Sequence, residues 1–432
     1  MIYNYVSIKR RRRMAQQFQR PRGTNDYFGE DEAILQNMRD ILNQETALYG
    51  TQFIELPMFE ENALFHRTVG ESSDIVTKET FDLERRGDKD YTLRPEFTAS
   101  VSRAVIEGKW YTTPDMPLRI SYCGPVFRYE RPQTGRLRQF NQFGVEFIDT
   151  KIDLNSTLDA FLLSLRGAEK VLGCKVKAKI NFLGSFESRE NYKKELQAFF
   201  APMISEMCED CQRRYQINPL RILDCKVQED QERCKGAPRV RDYLSQEDQE
   251  EFANICKALD QIGIEYVIDD DLVRGLDYYT GLVWELYEAD HEKIGAIGGG
   301  GKYSSLMKNI GGPEMEGIGF SLGLERLLFA MSDERKKELA STTSVDVFII
   351  DFKRDGTSME IADKLRKEGY SVLFSSFSRA LGGALKMADR KGAKKVIIAE
   401  SDGTYKLKDM FSRQQEEFEN KESLLLCLLS KE

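Results

Sequence analysis

Between Phe127 and Glu146 the chain sets two strand-like runs on either side of a basic loop containing Gly135, and the second run dictates what kind of sheet it can join. Side chains along a strand alternate between faces. Gln139-Phe140-Asn141-Gln142-Phe143-Gly144-Val145-Glu146 therefore puts Phe140, Gln142, Gly144 and Glu146 on one side. A face that only packed a core would be apolar throughout. This one offers an aromatic ring, an amide, an open space and a carboxylate, which suits a ligand better than a hydrophobic layer. Arg128, Arg131, Arg136 and Arg138 flank it, and guanidinium groups clamp phosphates through paired, planar hydrogen bonds. A solvated hairpin with charged rims accounts for each arginine singly but poorly for the set.

Three further segments carry polar groups at positions a core does not need. Arg94-Pro95-Glu96-Phe97-Thr98 follows a strand, and on an extended segment Glu96 and Thr98 point the same way, a pair able to hold an ammonium group. Asp271-Leu272-Val273-Arg274-Gly275-Leu276-Asp277-Tyr278-Tyr279-Thr280 places an arginine beside a glycine and two tyrosines after it; the tyrosines taken alone read as sheet aromatics. Gly317-Ile318-Gly319-Phe320-Ser321-Leu322-Gly323-Leu324-Glu325-Arg326 spaces glycines along a strand, leaving a flat floor for a planar base, and then enters a helix near Gly323 carrying Arg326. No Gly-Lys-Ser/Thr ending follows, so this is not a phosphate-cradling P-loop.

The chain has 432 residues, enough for two or three domains. With 41% hydrophobic and 31% charged residues it can bury a sizeable core. The longest apolar run, Leu424 to Leu429, is far too short to span a bilayer, and no signal-peptide core stands at the start. The expected location is therefore cytoplasmic, and the eight cysteines read as reduced thiols. A net charge of −8 does not exclude nucleic acid, because local basic surface matters more than the sum.

Residues 1–17, with the basic run Lys9 to Arg13 before Met14, read as a disordered tail; a nucleic-acid arm is the sharper alternative. From 18 to 172 an amphipathic helix, Asp31 to Leu48, precedes strand-like runs, the first ending at Pro57. Residues 173–245 turn helical, charged and cysteine-bearing, as an inserted module would. The first domain resumes over 246–332, the strand-turn pattern returning from Asp271 to Ala330, with Leu282 to Tyr287 a strand and Gly298 to Gly301 a turn. Residues 343–432 start a fresh β/α alternation: strands Val345 to Ile350, Tyr370 to Phe374 and Lys395 to Ala399, with crossover helices Met359 to Lys367 and Leu381 to Lys391.

In this order the segments resemble the class II aminoacyl-tRNA synthetases. The first helix and the strand ending at Pro57 are similar to their motif 1, Phe127 to Glu146 to motif 2, and Gly317 to Arg326 to motif 3. Arg22-Gly23-Thr24-Asn25-Asp26 and Leu272 to Tyr279 narrow the resemblance to the histidyl-tRNA synthetases, and it runs from Pro21 through essentially the whole chain. It implies an α+β fold: a mainly antiparallel catalytic sheet with flanking helices, a helical insertion near the tRNA acceptor arm, and a C-terminal α/β anticodon-binding domain. It also implies a homodimer that activates L-histidine with ATP, carried with Mg²⁺, and loads it onto the 3′ end of tRNA(His).

Carried over by residue, the resemblance gives Glu96 and Thr98 the α-amino group of histidine. Glu146 and Tyr279 receive the two imidazole nitrogens, and Gln142, Tyr278 and Tyr303 complete the pocket. Arg128 and Arg274 grip the α-phosphate as the catalytic pair, Arg136 holds the γ-phosphate with Glu130 nearby, and adenine lies between Phe140 and Arg326. Two places depart from the family pattern. Lys302 and Ser304 flank Tyr303 where Arg and Asp are usual, and Asn141 stands where histidine is frequent.

Cys208, Cys211, Cys225 and Cys234 offer four thiolates, the donor set of structural zinc, but the second pair is spaced too widely for an ordinary knuckle. Unliganded thiols are the expectation. Non-catalytic relatives, such as a regulatory subunit of ATP phosphoribosyltransferase or a sensor of uncharged tRNA, are the competing class, as is a class II synthetase for threonine or proline. Arg274, Glu146 and the C-terminal domain argue against them.

Overall fold

The computed structural model describes residues 18–70, 73–130, 135–273, 278–289, 295–340, 345–375 and 380–430. The basic tail, Arg131 and Arg274 lie outside the described residues. The chain divides into two compact units, one through Leu339 and one from Ala340.

The larger unit is built on an eight-stranded sheet. In spatial order its strands are Gln52–Phe53, Leu118–Phe127, Gln139–Asp149, Glu316–Gly323, Gly298–Tyr303, Tyr279–Glu288, Val176–Phe182 and Tyr266–Ile268. The six inner strands pair antiparallel with one another, and each outermost strand joins in parallel. This is the mainly antiparallel sheet with flanking helices that the sequence implied.

Helix Leu154–Leu172 lies across one face. Asp153 starts it by accepting from the Ser156 N–H at 2.8 Å, and Gly173, at φ 71°, ends it in the left-handed conformation that only glycine adopts cheaply. Phe161 meets Trp284 edge-on at 5.6 Å, and the buried Trp284 Nε1 donates to Ser164 Oγ at 2.9 Å. Helix Glu30–Ala47 packs outside it through Ile34, Leu35, Met38 and Leu42; of the apolar positions at helical spacing only Ile41 stays partly exposed.

Two sheet assignments differ from the sequence reading. Gly298 to Gly301, read as a turn, begins a central strand, Gly298–Tyr303. Its glycines serve packing: a Cβ at Gly300 would lie 2.5 Å from the Trp284 ring, and one at Gly301 2.6 Å from that of Tyr279. Val176–Phe182, read as part of the insertion, pairs with Tyr279–Glu288 inside the large sheet. Helices Phe186–Phe200, Glu209–Ile217 and Gln228–Cys234 follow it with short 3₁₀ turns, before helix Gln246–Ile262 leads back to the sheet edge.

The smaller unit is a five-stranded sheet in the order Val372–Phe374, Val347–Asp351, Lys395–Ala399, Tyr405–Asp409, Gln415–Phe418. The first three strands are parallel. Val347 and Ile349 face helices Thr357–Lys367 and Lys421–Leu429, while Phe348 and Ile350 face helix Leu381–Arg390. A strand covered on both faces reads as a continuous apolar run. The last two strands form an antiparallel hairpin that the sequence reading did not contain; Lys406 and Lys408, alternating with Tyr405 and Leu407, masked its one apolar face.

Candidate active site

The binding face legible in Gln139–Asp149 floors a narrow, partly open cavity of about 30 Å³. Glu96, Thr98, Arg128, Gln142, Glu146, Tyr278, Tyr279 and Tyr303 all line it. Eight residues proposed from sequence segments far apart thus meet in one pocket.

Glu146 is its centre. The carboxylate is fully buried and accepts from Thr98 Oγ1 at 2.7 Å, Tyr122 Oη at 3.1 Å and Tyr303 Oη at 2.9 Å. Burial pushes its pKa up to about 8, and the bonds from Thr98 and Tyr303 only partly offset that. Below that pH the ligand-free group holds a proton, so it can donate to a bare ring nitrogen or accept from a ligand N–H, and water does not compete for either bond.

Glu96 and Thr98 are not both on an extended segment as the sequence suggested. Thr98 opens helix Thr98–Glu107, and Glu96 caps it, accepting from the backbone N–H of Thr98 at 2.6 Å and of Ala99 at 2.9 Å. A residue that accepts two helix-end N–H groups is held in one orientation. Burial raises the Glu96 pKa against these bonds and the nearby Arg128. Thr98 thereby ties the two carboxylates together, its N–H to Glu96 and its hydroxyl to Glu146.

Arg94, next to this pair, is structural. It donates to the carbonyls of Leu56 at 2.9 Å and Pro125 at 2.9 Å and lies 3.9 Å over the Phe97 ring. It straps the capped helix to the sheet.

The sequence reading missed Tyr122, which also lines the cavity, as do Phe97, Gly319, Phe320 and Ser321, quoted there within their segments but given no individual role. Tyr122 stacks on Phe97 with centroids 4.3 Å apart. It pairs across the ladder with Gly144, and a Cβ there would sit 2.4 Å from the Tyr122 hydroxyl. The open space read at Gly144 is filled by Tyr122, and a glycine facing a neighbouring strand was the available signal. Gly319 behaves likewise, since its Cβ would lie 1.9 Å from Glu146 Oε2. The spaced glycines admit Glu146 and Tyr303 from neighbouring strands; at Gly317 a Cβ would lie 2.2 Å from the Tyr303 ring.

Cationic groups cluster at one side. Arg128 donates from Nε to the Pro95 carbonyl at 3.0 Å and lies 5.4 Å from the centre of the half-buried Phe140 ring. Arg136 is more exposed and pairs with Glu130 at 3.2 Å. Arg326, its pKa lowered by burial and by Arg136 and Arg128, donates to the carbonyls of Gly135 and Ala296. Arginines gathered this closely leave a positive field suited to a polyanion.

The two departures have local compensation. Lys302, nearly buried, reaches Glu251 and Glu316, each at 3.3 Å, and Ser304 bonds the Thr280 hydroxyl at 2.8 Å. Asn141 donates from its backbone N–H and its amide to the two oxygens of Glu325, both at 2.8 Å. From the insertion, Arg189 Nη1 donates to the Tyr279 carbonyl at 2.6 Å and so braces the pocket wall.

Solved and curated relatives share this architecture. The crystal structure of apo Staphylococcus aureus histidyl-tRNA synthetase superposes with a TM-score of 0.77 at 31% identity, covering 95% of this chain and 99% of that one. The histidine–tRNA ligase of Staphylococcus carnosus (strain TM300) is 41% identical over 403 residues, 91% of this chain and 93% of that protein. That of Staphylococcus aureus (strain JH9) is 41% identical over 385 residues. The large antiparallel-rich sheet with its flanking helices is the fold of a class II aminoacyl-tRNA synthetase. The histidyl-tRNA synthetase family model matches residues 23–327. The chain belongs to the histidyl-tRNA synthetase family, ATP-dependent ligases that join histidine to tRNA.

Proposed function

We propose that the cavity around Glu146 is the histidine pocket and that the arginine cluster beside it holds ATP. The observation that carries this is the buried carboxylate of Glu146, fixed by Thr98, Tyr122 and Tyr303 within reach of a ligand N–H. Glu146 takes one imidazole nitrogen and Tyr279 the other, with Gln142, Tyr278 and Tyr303 closing the ring site. Glu96, held by its helix, offers its carboxylate to the α-ammonium group.

In the first step the histidine carboxylate attacks the α-phosphorus of ATP and pyrophosphate leaves, giving histidyl-adenylate. The attacking group is already ionised at neutral pH, so the step needs position and charge compensation more than a base. Arg128 and Arg274 supply cations at the α-phosphate, Arg136 at the γ-phosphate, and Phe140 and Arg326 bracket adenine. Mg²⁺ enters with the polyphosphate as part of the substrate. In the second step a terminal ribose hydroxyl of tRNA(His) attacks the acyl carbon and AMP leaves.

Selectivity follows from bonding both ring nitrogens. An amino acid without them leaves buried polar groups unpaired, worth roughly 10⁴-fold or more in discrimination.

We further assign the unit from Ala340 to anticodon binding, the helical segment after Phe182 to the acceptor arm, and the cytoplasm as the site of action. The functional particle is a homodimer formed over the face bearing Phe53, Met58 and Phe59, each at least half exposed beside the edge strand Gln52–Phe53. Exposed apolar side chains at an unpaired sheet edge are the usual mark of an interface.

Glu146→Gln tests the ring site. The expected result is a rise of about 10²-fold in KM for histidine in pyrophosphate exchange with KM for ATP little changed. An unchanged KM for histidine would remove Glu146 from the pocket.

A further inference from the structure

A second cluster of chemistry-bearing side chains lies in the helical segment after Phe182, away from the histidine pocket. The Sγ atoms of Cys208, Cys211 and Cys225 and a carboxylate oxygen of Asp230 all lie within 4.8 Å of one another, and all but Cys208 are buried. Cys234, the fourth cysteine expected from spacing, turns away and donates to the Ile222 carbonyl at 3.5 Å.

The distances match one coordination geometry. A tetrahedral centre with metal–sulfur bonds of about 2.3 Å sets its sulfurs about 3.8 Å apart, and sulfur and oxygen about 3.5 Å apart. Cys208 Sγ and Cys225 Sγ are separated by 3.8 Å, and Cys225 Sγ and Asp230 Oδ2 by 3.4 Å. The backbone supports the same donors: the Val227 N–H points to Cys225 Sγ at 3.4 Å, and the Cys208 N–H to Asp230 Oδ2 at 3.1 Å. Outer contacts of this kind orient ligands in metal sites.

We propose that Cys208, Cys211, Cys225 and Asp230 form a structural zinc site. Three thiolates and one carboxylate suit a closed tetrahedral centre without an open position, so its role is to cross-link the chain and not to catalyse. Cys208 caps and Cys211 sits in the first turn of helix Glu209–Ile217, Cys225 stands in the loop after Pro219–Ile222, and Asp230 belongs to helix Gln228–Cys234. Helices this short are not stable alone. The metal would staple three short segments together and hold the surface they present in one shape.

Metal content of the full-length protein, purified under reducing conditions without chelator, tests this by mass spectrometry. About one zinc ion per chain is expected. Cys208→Ser and Cys225→Ser should each lose most of it, whereas Cys234→Ser should keep it. Because the serine variants can misfold, the parent chain is also stripped of metal and titrated with Co²⁺. A tetrahedral site rich in thiolate gives sulfur-to-cobalt charge transfer and strong visible bands. A parent with neither zinc nor that spectrum overturns the proposal. So does loss of metal in Cys234→Ser, which would place the site on four cysteines, and so does a missing pair of titratable thiols, which would make the Cys208–Cys225 contact a disulfide.

Discussion

Gly319 lies directly beneath the Glu146 carboxylate, so close that a Cβ at this glycine would sit 1.9 Å from Oε2. One side chain's absence thus positions another residue's function. Gly319→Ala must displace Glu146 and loosen its bonds to Thr98, Tyr122 and Tyr303. At about 1–3 kcal/mol per disrupted buried bond, kcat/KM for histidine should fall about 10²-fold or more. Circular dichroism should stay that of the parent, and KM for ATP should hold. A fully active Gly319→Ala would show that the carboxylate position is not critical.

Glu146 also makes stability depend on pH. Its folded pKa, about 8, lies above the ordinary value of 4.5 because of burial, so the native state keeps a proton the unfolded chain releases. That contribution is complete below the unfolded value and is lost as pH rises towards about 8. Thermal melts of the ligand-free protein between these limits should fall with pH, and Glu146→Gln should flatten the slope. A slope identical in the variant would assign the dependence to other groups.

Lys302 answers what the departure from the family's arginine does. Its side chain, only 10% exposed, joins Glu316 on the strand before Gly317 to Glu251 on helix Gln246–Ile262. Lys302→Met should destabilise the larger unit by about 1–3 kcal/mol, less than for a wholly buried pair because Glu251 is partly solvated. Thermal unfolding checks this, and Lys302→Arg should restore most of the loss.

Much of this was legible in the sequence, and what was not has physical reasons. The alternation in Gln139–Asp149 was readable because a strand has only two faces, and polar residues on one of them announce a site. Helix Leu154–Leu172 went unread, although Asp153 and Gly173 mark its start and stop. Tyr122 escaped because its function depends on the register that sets it opposite Gly144, which no local pattern states. The capping role of Glu96 was hidden because a carboxylate two residues before a helix looks the same as one on a strand. Gly298 to Gly301 misled because glycine's commonest use is in turns, whereas here Trp284 and Tyr279 need the room. Asp230 was overlooked because cysteine spacing drew attention to Cys234.

Arg128 is held by the Pro95 carbonyl, so its guanidinium is braced against the backbone segment that carries Glu96. Arg128→Ala should lower kcat by about 10²–10³-fold, with KM for histidine changing less, since charge on the α-phosphate peaks in the transition state. Single-turnover adenylate formation in rapid quench measures this directly. A variant defective only in histidine affinity would assign Arg128 to the amino-acid side.

Pyrophosphate exchange into ATP, run with each amino acid in turn on the parent protein and on Arg274→Ala, tests the central claim most directly. The account predicts exchange with histidine alone, reduced by about 10²-fold or more in Arg274→Ala. Exchange driven equally by another amino acid, or no exchange from folded protein, would contradict it.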